Sequence, residues 1–135
     1  MLELKSITGK SFQDYGYVIE RTEDTNFQII ASDSENPWRL ALYRFTNKEA
    51  AELESHTYSM ESFEPFEGVS VIVVAKPETP DEYEAFLLDR PVVLYKATWH
   101  QVITLGEETT VKITENYDVP TEKHQLKNAL KVRLV

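Results

Sequence analysis

Few residues in this chain can move a proton or hold a cation near neutral pH. There is no cysteine and there are three histidines, so the candidates reduce to imidazoles and carboxylates. His56 closes one strand-like run and His100 stands between Trp99 and Gln101 in another, while His124 lies in a charged tail that reads as solvent-exposed. Glu61 follows His56 by five residues, a spacing that crosses a tight hairpin or continues a bent strand, so both side chains could enter one barrel mouth. Two imidazoles and a carboxylate are the donor set that suits non-haem iron or another divalent ion with open positions. Spacing alone leaves each histidine the plainer role of a hydrogen-bonded residue at a strand end, and Glu61 that of a solvated strand position. The chain has no Gly-x-Ser-x-Gly elbow, P-loop or dinucleotide fingerprint, and no organic cofactor is expected.

The elements that must position these residues read mainly as strands. Runs rich in β-branched and aromatic residues occur near 27–31, 40–45, 51–56, 61–66, 69–76, 83–88, 92–95, 101–105 and 109–115, as expected for pleated, half-buried segments. So many short strands imply an all-β sandwich or barrel. Turn residues separate them at 33–37, 65–68, 77–81 and 105–107. In 109–115, Thr110, Lys112 and Thr114 alternate with Val111 and Ile113, which predicts one wet face. The nearly continuous apolar run 69–75 predicts a strand buried on both sides. Two short helical segments are expected at the ends. Residues 11–16 have Ser11 as a cap, Asp14 three residues on and Gly16 as a stop, and 120–130 place Leu126, Ala129 and Leu130 at helical spacing.

The 135 residues form one domain, 1–135, and at 41% hydrophobic they suffice for a core without staples. The formal charge of -9 argues against nucleic acid, whose phosphates require a basic surface. No apolar run approaches the roughly 20 residues of a membrane span, and the start Met1-Leu2-Glu3-Leu4-Lys5 lacks an apolar leader. A cytoplasmic protein with no membrane partner is expected. Acids dominate 54–89 while bases dominate the last 15 residues, so the tail can pack on the acidic middle of its own or a partner subunit. Exposed strand edges favour a homodimer.

The segment His56-Thr57-Tyr58-Ser59-Met60-Glu61-Ser62-Phe63-Glu64-Pro65-Phe66-Glu67-Gly68, the valine-rich run 69–75 and the pair Trp99-His100 together resemble the core of the ureidoglycolate lyase family. Residues 12–20 are similar to that family's opening helix and strand, and 26–30 and 40–44 fit its next two strands, so the resemblance covers most of the chain. It implies a cupin-type double-stranded β-helix, a jelly-roll barrel, usually dimeric. Lyase members split ureidoglycolate into urea and glyoxylate during purine breakdown. Such an elimination needs a base for the hydroxyl proton, an acid for the leaving nitrogen and a cationic or metal group for the carboxylate. Carried over by position, His56, Glu61 and His100 would surround the reacting carbon as proton-transfer groups or as ligands of a divalent ion. Arg44 would grip the small-molecule carboxylate as a bidentate fork, and Tyr58 and Tyr95 would line the mouth. Gln101 stands where the lyases tend to carry a second histidine, and would contribute an amide to the substrate. This departure also keeps open a second reading, a non-catalytic cupin that binds a small metabolite or sugar acid and acts through its dimer.

Overall fold

The computed structural model describes residues 1–20, 22–24, 31, 35 and 37–133. Among these the chain forms strands and turns, with no helix: β1 (Leu4–Lys5), β2 (Gly16–Val18), β3 (Trp38–Phe45), β4 (Ala50–Ser55), β5 (Glu61–Glu67), β6 (Ser70–Ala75), β7 (Glu84–Leu87), β8 (Val92–Leu94), β9 (Trp99–Thr104), β10 (Thr109–Asn116) and β11 (Glu122–Leu130). Two sheets result, ordered β1-β7-β6-β9-β4-β11 and β2-β8-β5-β10-β3. Within β3 to β10 the chain repeatedly crosses from one sheet to the other, so that β3 pairs β10, β10 pairs β5 and β5 pairs β8, facing β4 on β9, β9 on β6 and β6 on β7. That order of eight strands is the double Greek key of a jelly roll. Among the described residues no helix is long and apolar enough to cross a membrane.

Side-chain alternation fixes what each strand gives to the core. In β10, Val111 and Ile113 enter the space between the sheets while Lys112 reaches Glu64 on the outside. A slip of one residue would turn both apolar side chains to solvent, and at about 1.5–3 kcal/mol for each the pairing is strongly specified. All six residues of β6 are buried. Ile72 and Val74 join the inner core, and Val71, Val73 and Ala75 join a second apolar cluster on the outer face with Leu53, Ile103 and Leu130. Gly16 is required where β2 meets β8, because a Cβ there would stand 1.8 Å from the Val93 carbonyl oxygen.

Both expected helices give way to other structure. Residues 11–16 form consecutive turns, with Ser11 and Thr8 exchanging side chain-to-backbone hydrogen bonds of 2.9 Å in both directions and Gly16 N–H donating to Phe12 at 3.2 Å. Phe12 and Tyr15 pack edge-on against Phe86, which anchors the turns in the core. Residues 122–130 extend as β11, antiparallel to β4, with an irregularity between Gln125 and Leu130. The edge of β4 supplies backbone partners that outweigh a weak helical preference. The irregularity lets both Leu126 and Leu130 reach the outer cluster, and this produced the helix-like spacing. The tail meets acids of its own chain through Lys123–Glu52, Lys131–Glu49 and His124–Asp81, of which only Asp81 lies within the acidic stretch 54–89. These are exposed pairs of small energetic weight. The strand expected at 27–31 lies, apart from Ala31, outside the described residues.

Candidate metal centre

Alternation brings polar residues from both sheets into the barrel interior. In β9, Val102 belongs to the inner core, so His100 two residues earlier also faces inward, directly opposite Glu54 of β4. His56 follows Glu54 by two residues and shares its face. In β5, Phe63 fixes Glu61 inward, and in β10, Val111 and Ile113 do the same for Glu115. His56, Glu61, His100 and Glu115 are 8%, 6%, 5% and 5% exposed. Groups so buried must be satisfied by one another or by something they bind.

His100 Nδ1 lies 3.0 Å from the Thr98 carbonyl. A carbonyl only accepts, so Nδ1 carries hydrogen and Nε2 is left facing Glu61 Oε1 at 3.0 Å. His56 Nε2 stands 3.2 Å from the same oxygen, and its Nδ1 is 3.2 Å from Thr121 Oγ1. The two imidazole rings are 5.0 Å apart, with Phe63 against His100 at 5.4 Å. Although both nitrogens are within ion-pair distance, Glu61 Oε1 makes no directed hydrogen bond. A buried anionic oxygen facing two ring nitrogens without directed bonds is the donor arrangement a divalent cation requires, because ligands about 2.1 Å from such an ion stand roughly 3 Å apart.

The donor set is wider than this trio. Glu54, His56 and His100 offer ligand atoms within 4.8 Å of one another, and so do His56, Glu61 and Glu115. Arg39 of β3 donates from Nε and Nη2 to Glu115 Oε2 at 2.9 and 2.6 Å. When ionised, the three carboxylates and this guanidinium leave a net charge of -2, which one divalent ion balances. The residues therefore fit a metal.

Burial pushes the Glu61 carboxyl up, but the charge of His100 and the close approach of both imidazoles outweigh it and hold the group at about 2. Burial works against the His100 imidazolium, and Glu61, the Thr98 carbonyl and Glu54 overcome it, so its pKa rises. Glu115 is raised by burial and then by the charge of Glu61, with Arg39 opposing. Tyr43, also on the inner side of β3, is raised by burial and by the charges of Glu54 and Glu61.

Of the residues singled out from sequence, the structure brings His56, Glu61 and His100 together and leaves the others apart. Arg44 is exposed beside Leu42, Phe66, Glu67, Glu108 and Thr110 in a groove of about 260 Å³ on the outer face. Since Phe45 enters the inner core, Arg44 must face away, and Arg39 is the arginine that reaches the cluster. Tyr58 is 66% exposed and contributes only its carbonyl, to Asn116 Nδ2. Tyr95 packs edge-on to Tyr17. Gln101 alternates away from His100, accepting from Val102 N–H and donating to the Glu52 carbonyl. Sequence reasoning missed Glu54, Glu115 and Arg39. Counting by twos from His56, Ile113 and Phe45 would have found all three. The turn before His100 carries Ala97 at φ 67°, its N–H donating to the His56 carbonyl at 2.9 Å, so a left-handed residue ties together the two histidine-bearing segments.

No protein-family model matches the chain, and comparison with curated proteins found no significant match. Among solved structures it is similar to two single-substitution mutants of Bacillus subtilis oxalate decarboxylase, each at a TM-score of 0.48 and 18% identity, over 67% of this chain and 24% of theirs. The chain thus spans about a quarter of the length of those proteins. Its jelly-roll architecture stands on its own strand pairing.

Proposed function

We propose that this chain is a metal-dependent barrel enzyme that cleaves ureidoglycolate, or a related small hydroxy acid, releasing glyoxylate and urea. The observation that carries the reading is Glu61 Oε1, a buried anionic oxygen that faces His56 Nε2 and His100 Nε2 and makes no directed hydrogen bond. The sequence resemblance supplies the substrate. Glu54, His56, Glu61 and His100 would hold the ion, which when bound supplies Lewis-acid polarisation of a substrate oxygen. Phe63 and the inner core keep bulk water from the imidazoles. Thr98 and Thr121 orient the two rings through their Nδ1 atoms. In the elimination the hydroxyl loses its proton, the carbon–nitrogen bond breaks and the urea nitrogen gains a proton. Glu115, beside Glu61, stands where a carboxylate can accept the first proton and return it to the nitrogen.

Elemental analysis of the purified protein, with glyoxylate release from ureidoglycolate before and after chelation, tests this. One divalent ion per chain and turnover that disappears on chelation and returns on reloading are expected. A protein that takes up no divalent ion overturns the reading. A loaded protein that turns over neither ureidoglycolate nor related hydroxy acids supports instead the barrel that only binds a small acid.

A further inference from the structure

Arg39, Glu115 and Glu61 form one row across three neighbouring strands, with Glu115 opposite Arg39 on one side and opposite Glu61 on the other. Like charges directly opposite across a sheet repel, so Glu115 sits between a favourable and an unfavourable neighbour. Arg39 places both its Nε and Nη2 donors on a single oxygen, Glu115 Oε2. A guanidinium has five donors in a fork that matches both oxygens of a carboxylate, and this grip uses the fork one-sidedly. The side chain of Arg39 is 45% exposed and that of Glu115 is 7% exposed, so the guanidinium reaches from solvent down to the buried acid. Among the described residues Arg39 is the only lysine or arginine ion-paired to a member of the cluster.

We propose that Arg39 is the specificity-determining residue of the barrel mouth, recognising the carboxylate of a small α-hydroxy acid, and that Glu115 occupies its guanidinium until that acid arrives. The exchange makes and breaks only ion pairs. The acid takes the fork through both oxygens, and Glu115 is released toward the cluster. This rests on the metal-centre reading for the hydroxyl end of the ligand; the Arg39 contact itself does not require the ion.

The probes are glycolate, the smallest such acid, and glycolamide, its neutral counterpart, titrated calorimetrically into protein with and without Mn²⁺. Wild type is expected to prefer glycolate. Arg39→Gln should weaken glycolate by about tenfold or more, the scale of a lost charged hydrogen bond, and Arg39→Lys should recover part of it. Arg44→Gln should leave it unchanged. Glu115→Gln, which removes the internal competitor, should tighten glycolate several-fold, an effect that a purely structural Glu115 would not produce. Equal binding of glycolate and glycolamide by wild type, absence of glycolate binding, or an Arg39→Gln protein that binds glycolate as wild type does would each overturn the proposal. If Mn²⁺ fails to bind while glycolate still distinguishes wild type from Arg39→Gln, the metal reading fails and the Arg39 assignment stands.

Discussion

The Thr98 carbonyl dictates which nitrogen of His100 faces the carboxylates: by accepting from Nδ1 at 3.0 Å it leaves Nε2 for Glu61. An asparagine at position 100 would be too short to keep both contacts. His100→Asn should therefore lower affinity for a divalent ion by about 100-fold or more, beyond the roughly 10–100-fold that loss of an outer-shell partner alone costs. It should also destabilise the metal-free protein by about 3 kcal/mol or more, because Glu61 would lose its buried partner. Metal titration and thermal unfolding of the same preparation check both effects. An unchanged affinity would remove His100 from the ligand set.

The cluster imposes a pH dependence on the metal-free protein. Glu61 titrates at about 2 against an ordinary value of 4.5, so its contribution is complete above 4.5 and is lost as pH falls toward 2. His100 is raised above 6.5, so its contribution is complete below 6.5 and is lost as pH rises through the raised value. Glu115 is raised above 4.5, so its contribution is complete below 4.5 and is lost as pH rises from there through the raised value. Unfolding followed in chelator should show greatest stability in mildly acid solution. A divalent ion should restore stability at alkaline pH, where it no longer competes with the His100 proton.

Ala97 holds a left-handed conformation at φ 67°, which costs a residue with a Cβ about 1–2 kcal/mol. Ala97→Gly relieves that strain but adds backbone freedom to the unfolded chain. A net gain of up to about 1 kcal/mol in denaturant unfolding is expected, with metal affinity unchanged. A loss of stability would show that the turn is not strained.

Leu40 and Leu42 of β3 are 61% and 57% exposed. Apolar side chains grouped on an outer face in this way suit a second copy of the chain, so the protein is expected to be a homodimer. Light scattering should give twice the 15.6 kDa chain mass, and Leu42→Lys should shift it toward the monomer. A wild-type monomer at micromolar concentration rules the dimer out.

Strand positions were legible because apolar and polar residues alternate over stretches such as Val111 to Glu115, and β6 because nothing interrupts its apolar run. His56, Glu61 and His100 stood out as polar residues inside such runs. Arg39 and Arg44 are harder to tell apart, since both sit in one strand and only the burial of Phe45 sets which parity faces inward. The tail misled for a local reason. An irregular stretch after Gln125 puts Leu126 and Leu130 on the same side of a strand with the spacing of a helix.

In a jelly roll the first and last of the eight strands are neighbours, and here the Arg39–Glu115 contact spans 76 residues of sequence. Loops of that length must close before either partner is rewarded, which slows folding. On the ribosome, Glu54, His56 and Glu61 emerge well before His100 and Glu115, so the nascent chain carries three carboxylate and imidazole groups without the two that complete the cluster. The cluster is then assembled late in biosynthesis, after release of the C-terminal strands.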